Sequence, residues 1–296
     1  MQRADLFLGV DGGGTQCRAR LADRSGRVLG EGTSGPANIR LGLDAGFASV
    51  LDAARQCFAE ARLGEHAMGH VAACLALAGA TEPTELAAAR LQRLPFSHTV
   101  IVSDAHAACV GAHRGNDGGV IIAGTGSVGW AIVGGRQHRV GGWGLMLSDE
   151  GSGAWLGREA MRRVLWVHDG RVAPTALLRR LLDEFDADPY AIVRWAADAQ
   201  PAEFGRLAPL VVEHAARDDP AALELMQQAA SHIDVLAARL FALGAERLAL
   251  VGGLAPHLEG WLAPETRQHL VKPEGDALDG ALQLARAETA VLALEP

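Results

Sequence analysis

Two glycine-rich stretches of the sequence have the residue types of phosphate-binding loops. The first, FLGVDGGGT, is an apolar strand that ends in one aspartate, three glycines and a threonine. Consecutive glycines permit positive φ and a close approach of the backbone to a ligand, so that several N–H groups converge on one anion. Thr15 adds a hydroxyl donor, and the carboxylate of Asp11 is suited to hold Mg²⁺ through water beside the phosphates. The alternative is a plain hairpin turn, because residues 17–22 resume as a strand.

The second stretch, GVIIAGTGS over residues 119–127, repeats this pattern with Thr125 and Ser127 as hydroxyl residues. Its segment GTGSVG also matches the dinucleotide-binding fingerprint GxGxxG. That fingerprint requires a helix that begins in the loop, whereas WAIV and the turn at Gly134 and Gly135 predict a hairpin. We therefore interpret this stretch as a second phosphate loop, which opens the second half of an internally duplicated chain.

Asp104 is the candidate general base. It ends the predicted strand HTVIVSD and precedes a short predicted helix over residues 105–113. In open α/β sheets, ligands collect at the carboxyl ends of strands, and Asp11, Asp104 and Gly124 all fall at such ends. A carboxylate there can accept the proton of an attacking hydroxyl during phosphoryl transfer. The competing interpretation is that Asp104 only caps the helix.

Residues 141–153, GGWGLMLSDEGSG, form the most unusual loop of the sequence. It carries five glycines, Trp143 and an acidic pair that begins with Asp149, just before a predicted helix. Helix capping accounts for the acidic pair but not for the glycines or the tryptophan. An aromatic side chain and a carboxylate in an irregular loop suit a polyol, whose hydroxyls need acceptors. Asn38 lies in a similar loop after the first hairpin, where it also fits an ordinary turn.

Charge and composition limit the partners. The 27 basic and 35 acidic residues give a net charge of −8, which argues against nucleic acid or an anionic membrane as partner. No stretch reaches the roughly 18 apolar residues of a membrane span, and MQRADLF lacks the apolar core of a signal peptide, so we expect a cytoplasmic protein. Lys272 is the only lysine, so neither a P-loop nor a protein-kinase site fits. The four cysteines stand far apart in apolar segments, as buried free thiols do.

The predicted elements indicate an α/β chain in two halves. Three strands open the chain, and helices and strands then alternate up to about residue 116. The second half restarts with a strand and a hairpin and continues with a helical insertion over about residues 153–243. A strand from Arg247 and a helix over residues 276–288 close it. We therefore predict domains at 1–116 and 117–296.

The motifs DGGGT, SDAHAA, GTGS, GGWG with SDEGSG, and LVGG, in this order and spacing, resemble the N-acetylglucosamine kinase and glucosamine kinase group of the BadF/BadG/BcrA/BcrD ATPase family. That family belongs to the superfamily of sugar kinases, heat-shock ATPases and actin. The resemblance covers nearly the whole chain. It implies duplicated ribonuclease-H-like (actin-like ATPase) domains, phosphorylation of an amino sugar at its 6-hydroxyl, ATP and Mg²⁺ as cofactors, and a homodimer.

The resemblance also implies a role for each matching residue. Asp11 would order Mg²⁺, and Asp104 would activate the sugar hydroxyl. Asn38, Asp104 and Asp149 would bind hexose hydroxyls, under a loop that contains Gly142 and Trp143. The residues expected to contact ATP are Gly12, Gly13, Gly14, Thr15, Gly124, Thr125, Gly126, Ser127, Gly252 and Gly253.

Two other functions on the same fold stay open at this point. ATPases of the family that activate dehydratases share an iron–sulfur cluster between two subunits and carry a cysteine just ahead of the GTG loop, whereas residues 111–124 contain none. A sugar-responsive regulator keeps the fold without catalysis, but this chain retains Asp104. The residues do not separate N-acetylglucosamine from glucosamine, and they leave open whether Arg18 or Glu150 contributes to the site.

Overall fold

A computed structural model gives the structure of the protein and describes residues 6–292, with side chains except those of residues 41 and 289–292. The strands are β1 (Leu6–Gly12), β2 (Cys17–Asp23), β3 (Val28–Ser34), β4 (Val71–Leu77), β5 (His98–Ser103), β6 (Gly118–Ala123), β7 (Ser127–Val133), β8 (Arg136–Gly141) and β9 (Leu248–Val251). The helices are α1 (Leu43–Glu60), α2 (Pro83–Arg90), α3 (Asp104–His113), α4 (Gly153–His168), α5 (Ala176–Asp183), α6 (Pro189–Asp198), α7 (Pro201–Gly205), α8 (Ala208–Ala215), α9 (Pro220–Ala242), α10 (Ala255–Leu258), α11 (Pro264–Arg267) and α12 (Ala277–Leu292). Within this range, no helix has the length and apolarity needed to cross a bilayer.

The first sheet is mixed and has the strand order β3-β2-β1-β4-β5. β1, β2 and β3 form an antiparallel meander. β4 pairs parallel with β1 on one side and with β5 on the other, so three strands end at the same edge of the sheet. β4 is buried along its whole length, which explains its continuous apolar sequence VAACLAL.

Helices cover both faces of this sheet, because successive side chains of a strand point to opposite sides. Alternate residues of β4, such as Ala73 and Leu75, join the core that includes Phe58 of α1. The residues between them, such as Cys74, join a second core that includes Ala107 of α3 and Ala281 of α12. The sheet is therefore the middle layer of three.

The second sheet has the strand order β8-β7-β6-β9. This order repeats β3-β2-β1-β4 of the first sheet. In each sheet the first strand of that half, β1 or β6, lies between the second strand of the meander, β2 or β7, and the strand that follows the meander, β4 or β9. The helices α4 to α9 follow β8 and account for the predicted helical insertion. The predicted duplicated α/β fold, with ribonuclease-H-like halves and a helical insertion in the second half, is confirmed.

The chain forms two compact units. The first comprises the described residues of Met1–Val120, Trp130–Gln137 and Lys272–Pro296, and the second comprises Ile121–Gly129 and His138–Val271. The predicted domain boundary at residue 116 stays a prediction. Two later segments belong to the first unit: Trp130–Gln137, and the C-terminal segment with α12. α12 packs on β1, β4 and α3, because its apolar face covers the second core of the first sheet.

α3 and α12 meet backbone to backbone. A Cβ atom on Gly280 would lie 1.9 Å from the carbonyl oxygen of Ala107, and one on Gly111 would lie 1.9 Å from the carbonyl oxygen of Asp276. Both positions need glycine for this close approach. The contact fixes the placement of α3, which carries Asp104 as its first residue.

Gly280→Ala should therefore destabilise the protein by about 1–3 kcal/mol, although alanine is favoured over glycine in a helix interior by about 1 kcal/mol. Gly46→Ala in α1 is the matched control, because the nearest neighbour of its Cβ would lie at 3.6 Å, an ordinary contact. That variant should be neutral or stabilising. Urea unfolding followed by circular dichroism compares the two, and an unchanged midpoint for Gly280→Ala would contradict the close contact.

Candidate active site

The parallel strands of the first unit bring the two candidate carboxylates to one edge. The register pairs Gly12 with Leu77, and Leu77 with Ser103. Asp11 is thus the last but one residue of β1, and Asp104 is the first residue after β5. With neighbouring strands roughly 4.8 Å apart, β1 and β5 lie about 10 Å from each other. Asp11 and Asp104 therefore flank the carboxyl end of β4.

The sequence predicts positive φ in the glycine loop after β1, but Gly12, Gly13 and Gly14 all lack it. Gly12 instead allows a close approach, since its Cβ would lie 2.6 Å from the Leu77 side chain. The Gly13 N–H donates to the Gln16 carbonyl at 3.0 Å and closes the turn. A Cβ on Gly14 would meet nothing within 4 Å, so a ligand can reach the backbone there.

Asn38 lies in a segment that is hydrogen-bonded to this edge. The backbone N–H groups of Ala37 and Ile39 donate to the carbonyls of Gly13 at 3.0 Å and Ala78 at 3.1 Å. The side-chain oxygen of Asn38 accepts a hydrogen bond of 3.1 Å from the N–H two residues on and caps a short 3-10 turn. Asn38 is therefore a turn residue, and the same turn places it beside the glycine loop and the end of β4.

Asp104 does not cap α3, because the neighbouring Ser103 does. The Ser103 hydroxyl accepts a hydrogen bond of 3.1 Å from the N–H of His106. The strand ends one residue earlier than predicted, and the capping interpretation of Asp104 is wrong. The carboxylate of Asp104 is half-buried in the first turn of the helix and accepts the N–H of Ala105 at 2.8 Å. Ser103 therefore makes the capping bond, and the Asp104 carboxylate satisfies one further N–H of the first turn.

The stack of His106 on Trp130 was not found by the sequence reasoning. The ring centroids lie 5.9 Å apart with an interplanar angle of 15°. Burial lowers the pKa of His106, which keeps the ring neutral near pH 7. The sequence did offer one signal for a neutral imidazole: His106 lies in the first turn of a predicted helix, where a positive charge is unfavourable. Two residues after Asp104, the chain thus carries an uncharged aromatic ring.

The loop Gly124–Ser127 of the second unit is bonded to the N-terminus of α4. The N–H groups of Gly153 and Ala154 donate to the carbonyls of Gly124 at 2.8 Å and Thr125 at 3.1 Å. Ser127 is buried, and its hydroxyl donates to the Glu150 carbonyl at 2.8 Å. The hydroxyl proton of Ser127 is used inside the protein, which argues against its predicted role as a hydroxyl donor. Thr125 stays the candidate for that role.

Asp149 lies against this second loop. Its φ of +59° is uncommon for a residue other than glycine. One carboxylate oxygen accepts the N–H of Gly144 at 3.1 Å, and the other lies 2.8 Å from where a Cβ on Gly126 would be. The structure therefore brings a residue predicted to bind the sugar against a loop predicted to bind the nucleotide.

The loop after β8 uses its glycines for positive φ. Values between +71° and +97° occur at Gly141, Gly142, Gly144 and Gly151. The guanidinium of Arg139 donates to the carbonyls of Gly141 and Gly142 and stacks on Trp143, at 4.2 Å from the ring centroid. Trp143 is nevertheless 62% exposed. The loop is therefore internally bonded and presents an aromatic face to solvent.

Gly252 and Gly253 lie beside the second loop as well. Gly252 has φ of +101°, and its Cβ would lie 2.4 Å from the carbonyl oxygen of Ala123, the last residue of β6. The Leu254 N–H donates to the same carbonyl at 2.9 Å. Because Gly124 follows directly, the structure brings together this glycine pair and the second glycine loop, both of which are predicted to contact ATP.

The residues of the first unit fit Mg²⁺ carried by a nucleotide. The described residues contain no group of three or more histidine, cysteine, aspartate or glutamate side chains that could hold a metal ion by themselves. Mg²⁺ bound to phosphates typically keeps several waters and takes only one or two carboxylates. Asp11, at the end of β1 and beside the glycine loop, supplies one such carboxylate, and Arg18 donates to it at 2.6 Å.

This duplicated fold, with a glycine loop after the first strand of each half, is that of the actin-like ATPases and sugar kinases. The chain belongs to the BadF/BadG/BcrA/BcrD ATPase family, whose sequence profile matches residues 8–285.

Individual relatives are similar over most of the chain. The sequence is 40% identical to the glucosamine kinase GspK of Vibrio cholerae over 281 residues, which cover 95% of this chain and 96% of that protein. It is 31% identical to an N-acetylmuramic acid/N-acetylglucosamine kinase of Clostridium acetobutylicum over 182 residues, 60% of this chain and 58% of that protein. A crystal structure of a provisionally assigned N-acetylglucosamine kinase from Chromobacterium violaceum matches with a TM-score of 0.90 at 36% identity, over 96% of this chain and 99% of that one.

Acidification should destabilise the fold in part through His106. Burial places the folded-state pKa of His106 below the ordinary value of about 6.5. The contribution of neutral His106 to the free energy of unfolding is therefore complete above about pH 6.5, and it is lost as the pH falls through the lower, folded-state pKa. His106→Phe keeps an aromatic ring on Trp130 and cannot take up the proton. Between about pH 7.5 and 5.5 its melting temperature should fall less than that of the wild type. Equal falls would show that His106 does not titrate in this range.

Proposed function

We propose that this protein is an ATP-dependent amino-sugar kinase that phosphorylates glucosamine or N-acetylglucosamine at the primary 6-hydroxyl, with Asp104 as general base. The observation that carries the proposal is the position of Asp104. The carboxylate stands at the carboxyl edge of the first sheet, in register with the phosphate loop after β1, while Ser103 caps the helix in its place. Similarity to kinases of both amino sugars supports the substrate class.

Asp104 acts on the attacking hydroxyl. Its carboxylate accepts the proton of the 6-hydroxyl as the oxygen bonds to the γ-phosphorus of ATP, and the bond to the β-phosphate bridging oxygen breaks to release ADP. Mg²⁺, when bound, neutralises charge on the phosphates, and Asp11 would hold it through water. In this proposal, backbone N–H groups of Gly14 and Thr15 in the first unit and of Thr125 and Gly126 in the second would bind phosphate oxygens. The N–H groups of Gly13 and Gly124 instead hold the loops in shape, since they donate to the carbonyls of Gln16 at 3.0 Å and Gly126 at 2.9 Å.

The remaining polar groups orient the sugar. Asn38 and Asp149 offer oxygen acceptors for hexose hydroxyls, and each is held by a hydrogen bond to a backbone N–H. The preorganised acceptors lower the entropic cost of orienting the 6-hydroxyl. Gly142 and Trp143 belong to the loop that covers the bound sugar. A homodimer and a cytoplasmic location are further parts of this proposal.

The dehydratase-activator alternative has less support. Cys17, Cys57, Cys74 and Cys109 are all buried free thiols. Burial raises the pKa of Cys17, Cys57 and Cys74 to about 12, which disfavours the thiolate that an iron–sulfur cluster needs. Buried thiols in separate elements are also poorly placed for a cluster shared by two subunits.

The deciding experiment is a coupled ADP-release assay with Mg-ATP. It compares glucosamine, N-acetylglucosamine, N-acetylmannosamine and glucose with a control that lacks sugar. ADP release that depends on an amino sugar supports the kinase, and the ranking of kcat/KM identifies the substrate. Equal ATP hydrolysis without sugar would favour the activator, and no turnover with any sugar would favour a sensor.

Asp104→Asn should lower kcat by about 10²–10⁴-fold, because the amide cannot accept the proton. ATP binding and the melting temperature should change little. Ser103→Ala is the control for helix capping: it should cost about 1 kcal/mol of stability and leave most of the turnover. Normal turnover in Asp104→Asn would remove Asp104 from the chemistry.

A further inference from the structure

The carboxylate of Asp11 is not isolated in the first unit but lies at one end of a row of charges. The antiparallel register places Arg18 of β2 directly opposite Asp11 of β1. An amino group of the Arg18 guanidinium donates to Asp11 at 2.6 Å. The other amino group lies 3.4 Å from the carboxylate of Asp276, which is 258 residues away in sequence. One guanidinium therefore joins the strand that ends in the glycine loop to the start of α12.

Asp276 is itself firmly held. It precedes α12 and exchanges hydrogen bonds with Asp279: each residue donates its backbone N–H to the carboxylate of the other at 3.0 Å. The carbonyl of Asp276 also lies in the close contact with Gly111 of α3. The two carboxylate oxygens of Asp276 are divided, so that one serves the helix cap and Arg20 while the other faces Arg18. Asp276 is thus a fixed point against which Arg18 is held.

We propose that Asp276 is a positioning residue of the nucleotide site, which acts by holding Arg18 and thereby the carboxylate of Asp11. This inference rests on the proposed function, since the value of a fixed Asp11 lies in binding the Mg²⁺ of Mg-ATP. Asp276 acts through Arg18 and does not contact the nucleotide.

The charge balance gives the expected direction. Asp11, Arg18 and Asp276 together carry a net charge of −1, which attracts a hydrated divalent cation. If Asp276 loses its charge, the whole guanidinium faces Asp11, and that pair becomes neutral. Mg²⁺ must then compete with Arg18 for a carboxylate that no longer has excess negative charge. Binding of ATP without Mg²⁺ lacks this competition.

Asp276→Asn tests the proposal, because asparagine still caps a helix but lacks the charge. Asp279→Asn is a matched control: it removes the same charge from the same helix turn and a 2.6 Å ion pair with Arg20, yet among the described residues no hydrogen bond or ion pair joins Asp279 to Arg18. Isothermal titration measures the Kd of ATP for each full-length variant with Mg²⁺ and with EDTA, and melting temperatures compare their stability.

Asp276→Asn should raise the Kd of Mg-ATP about three- to fivefold, the upper part of the range for a partly exposed ion pair, and should change the Kd in EDTA less than about twofold. Asp279→Asn should change both values less than about twofold. Equal effects of the two variants, or equal weakening with and without Mg²⁺, would overturn the proposal.

The route through Arg18 is tested by a double-mutant cycle. In an Arg18→Gln background, Asp276→Asn should no longer change the ratio of the two Kd values, because the intermediate side chain is absent. An undiminished effect in that background would mean that Asp276 acts without Arg18, and the proposal would fail. A wild type that binds Mg-ATP but phosphorylates no sugar overturns the kinase assignment alone. A wild type that binds no nucleotide overturns both.

Discussion

The in-register parallel pairing of β1, β4 and β5 is the constraint on which the first unit depends. Parallel strands end at one edge, so two carboxylates separated by more than ninety positions reach the same side of the sheet without any direct contact between them. The pairing also decides the surroundings of that edge. Gly12 must be small because Leu77 is its partner across the register, and the segment around Asn38 fills the remaining backbone hydrogen bonds at the ends of β1 and β4. A slip of one residue would turn the side chains of the slipped strand to the other face of the sheet.

In the second unit, local hydrogen bonds and not strand register bring the candidate residues together. Its glycine loop is bonded to the first turn of α4 through backbone groups, and the buried hydroxyl of Ser127 extends this bonding to Glu150. Asp149 enters through a left-handed backbone conformation and occupies the space that the missing side chain of Gly126 leaves. The second glycine loop, the acidic loop and the start of α4 are therefore joined by hydrogen bonds, although the sequence shows them as three separate motifs.

Much of the fold was predictable from the sequence because local patterns specify it. Alternation identified the hairpins of both halves, apolar runs identified β4 and β6, and helical periodicity identified the insertion. The positions of Asp11 and Asp104 near the carboxyl ends of β1 and β5 were also predictable, whereas their roles in the candidate site stay predictions. Prediction failed where long-range packing decides. The capping of α3 by Ser103 depends on a one-residue shift of the strand end, the reason for Gly12 lies in a neighbour 65 positions away, and nothing local connects Asp276 with Arg18. The packing of α12 in the first unit also depends on long-range contacts, since the amphipathic pattern of a helix does not specify which sheet the helix covers.

That placement of α12 has a consequence for the order in which the protein can fold on the ribosome. Phe7, Cys74 and their neighbours on one face of the first sheet are covered by Ala281, Leu282 and Ala285. Strands β1 to β5 and α3 leave the ribosome early, but the part of this face that α12 covers stays exposed until the segment around residue 285 has been made. Contacts of such long sequence separation form late, because the chain must first close a very large loop. During synthesis the first half therefore exists as a sheet with one complete core and one partly open apolar face, a state that is prone to aggregate until α12 has been made.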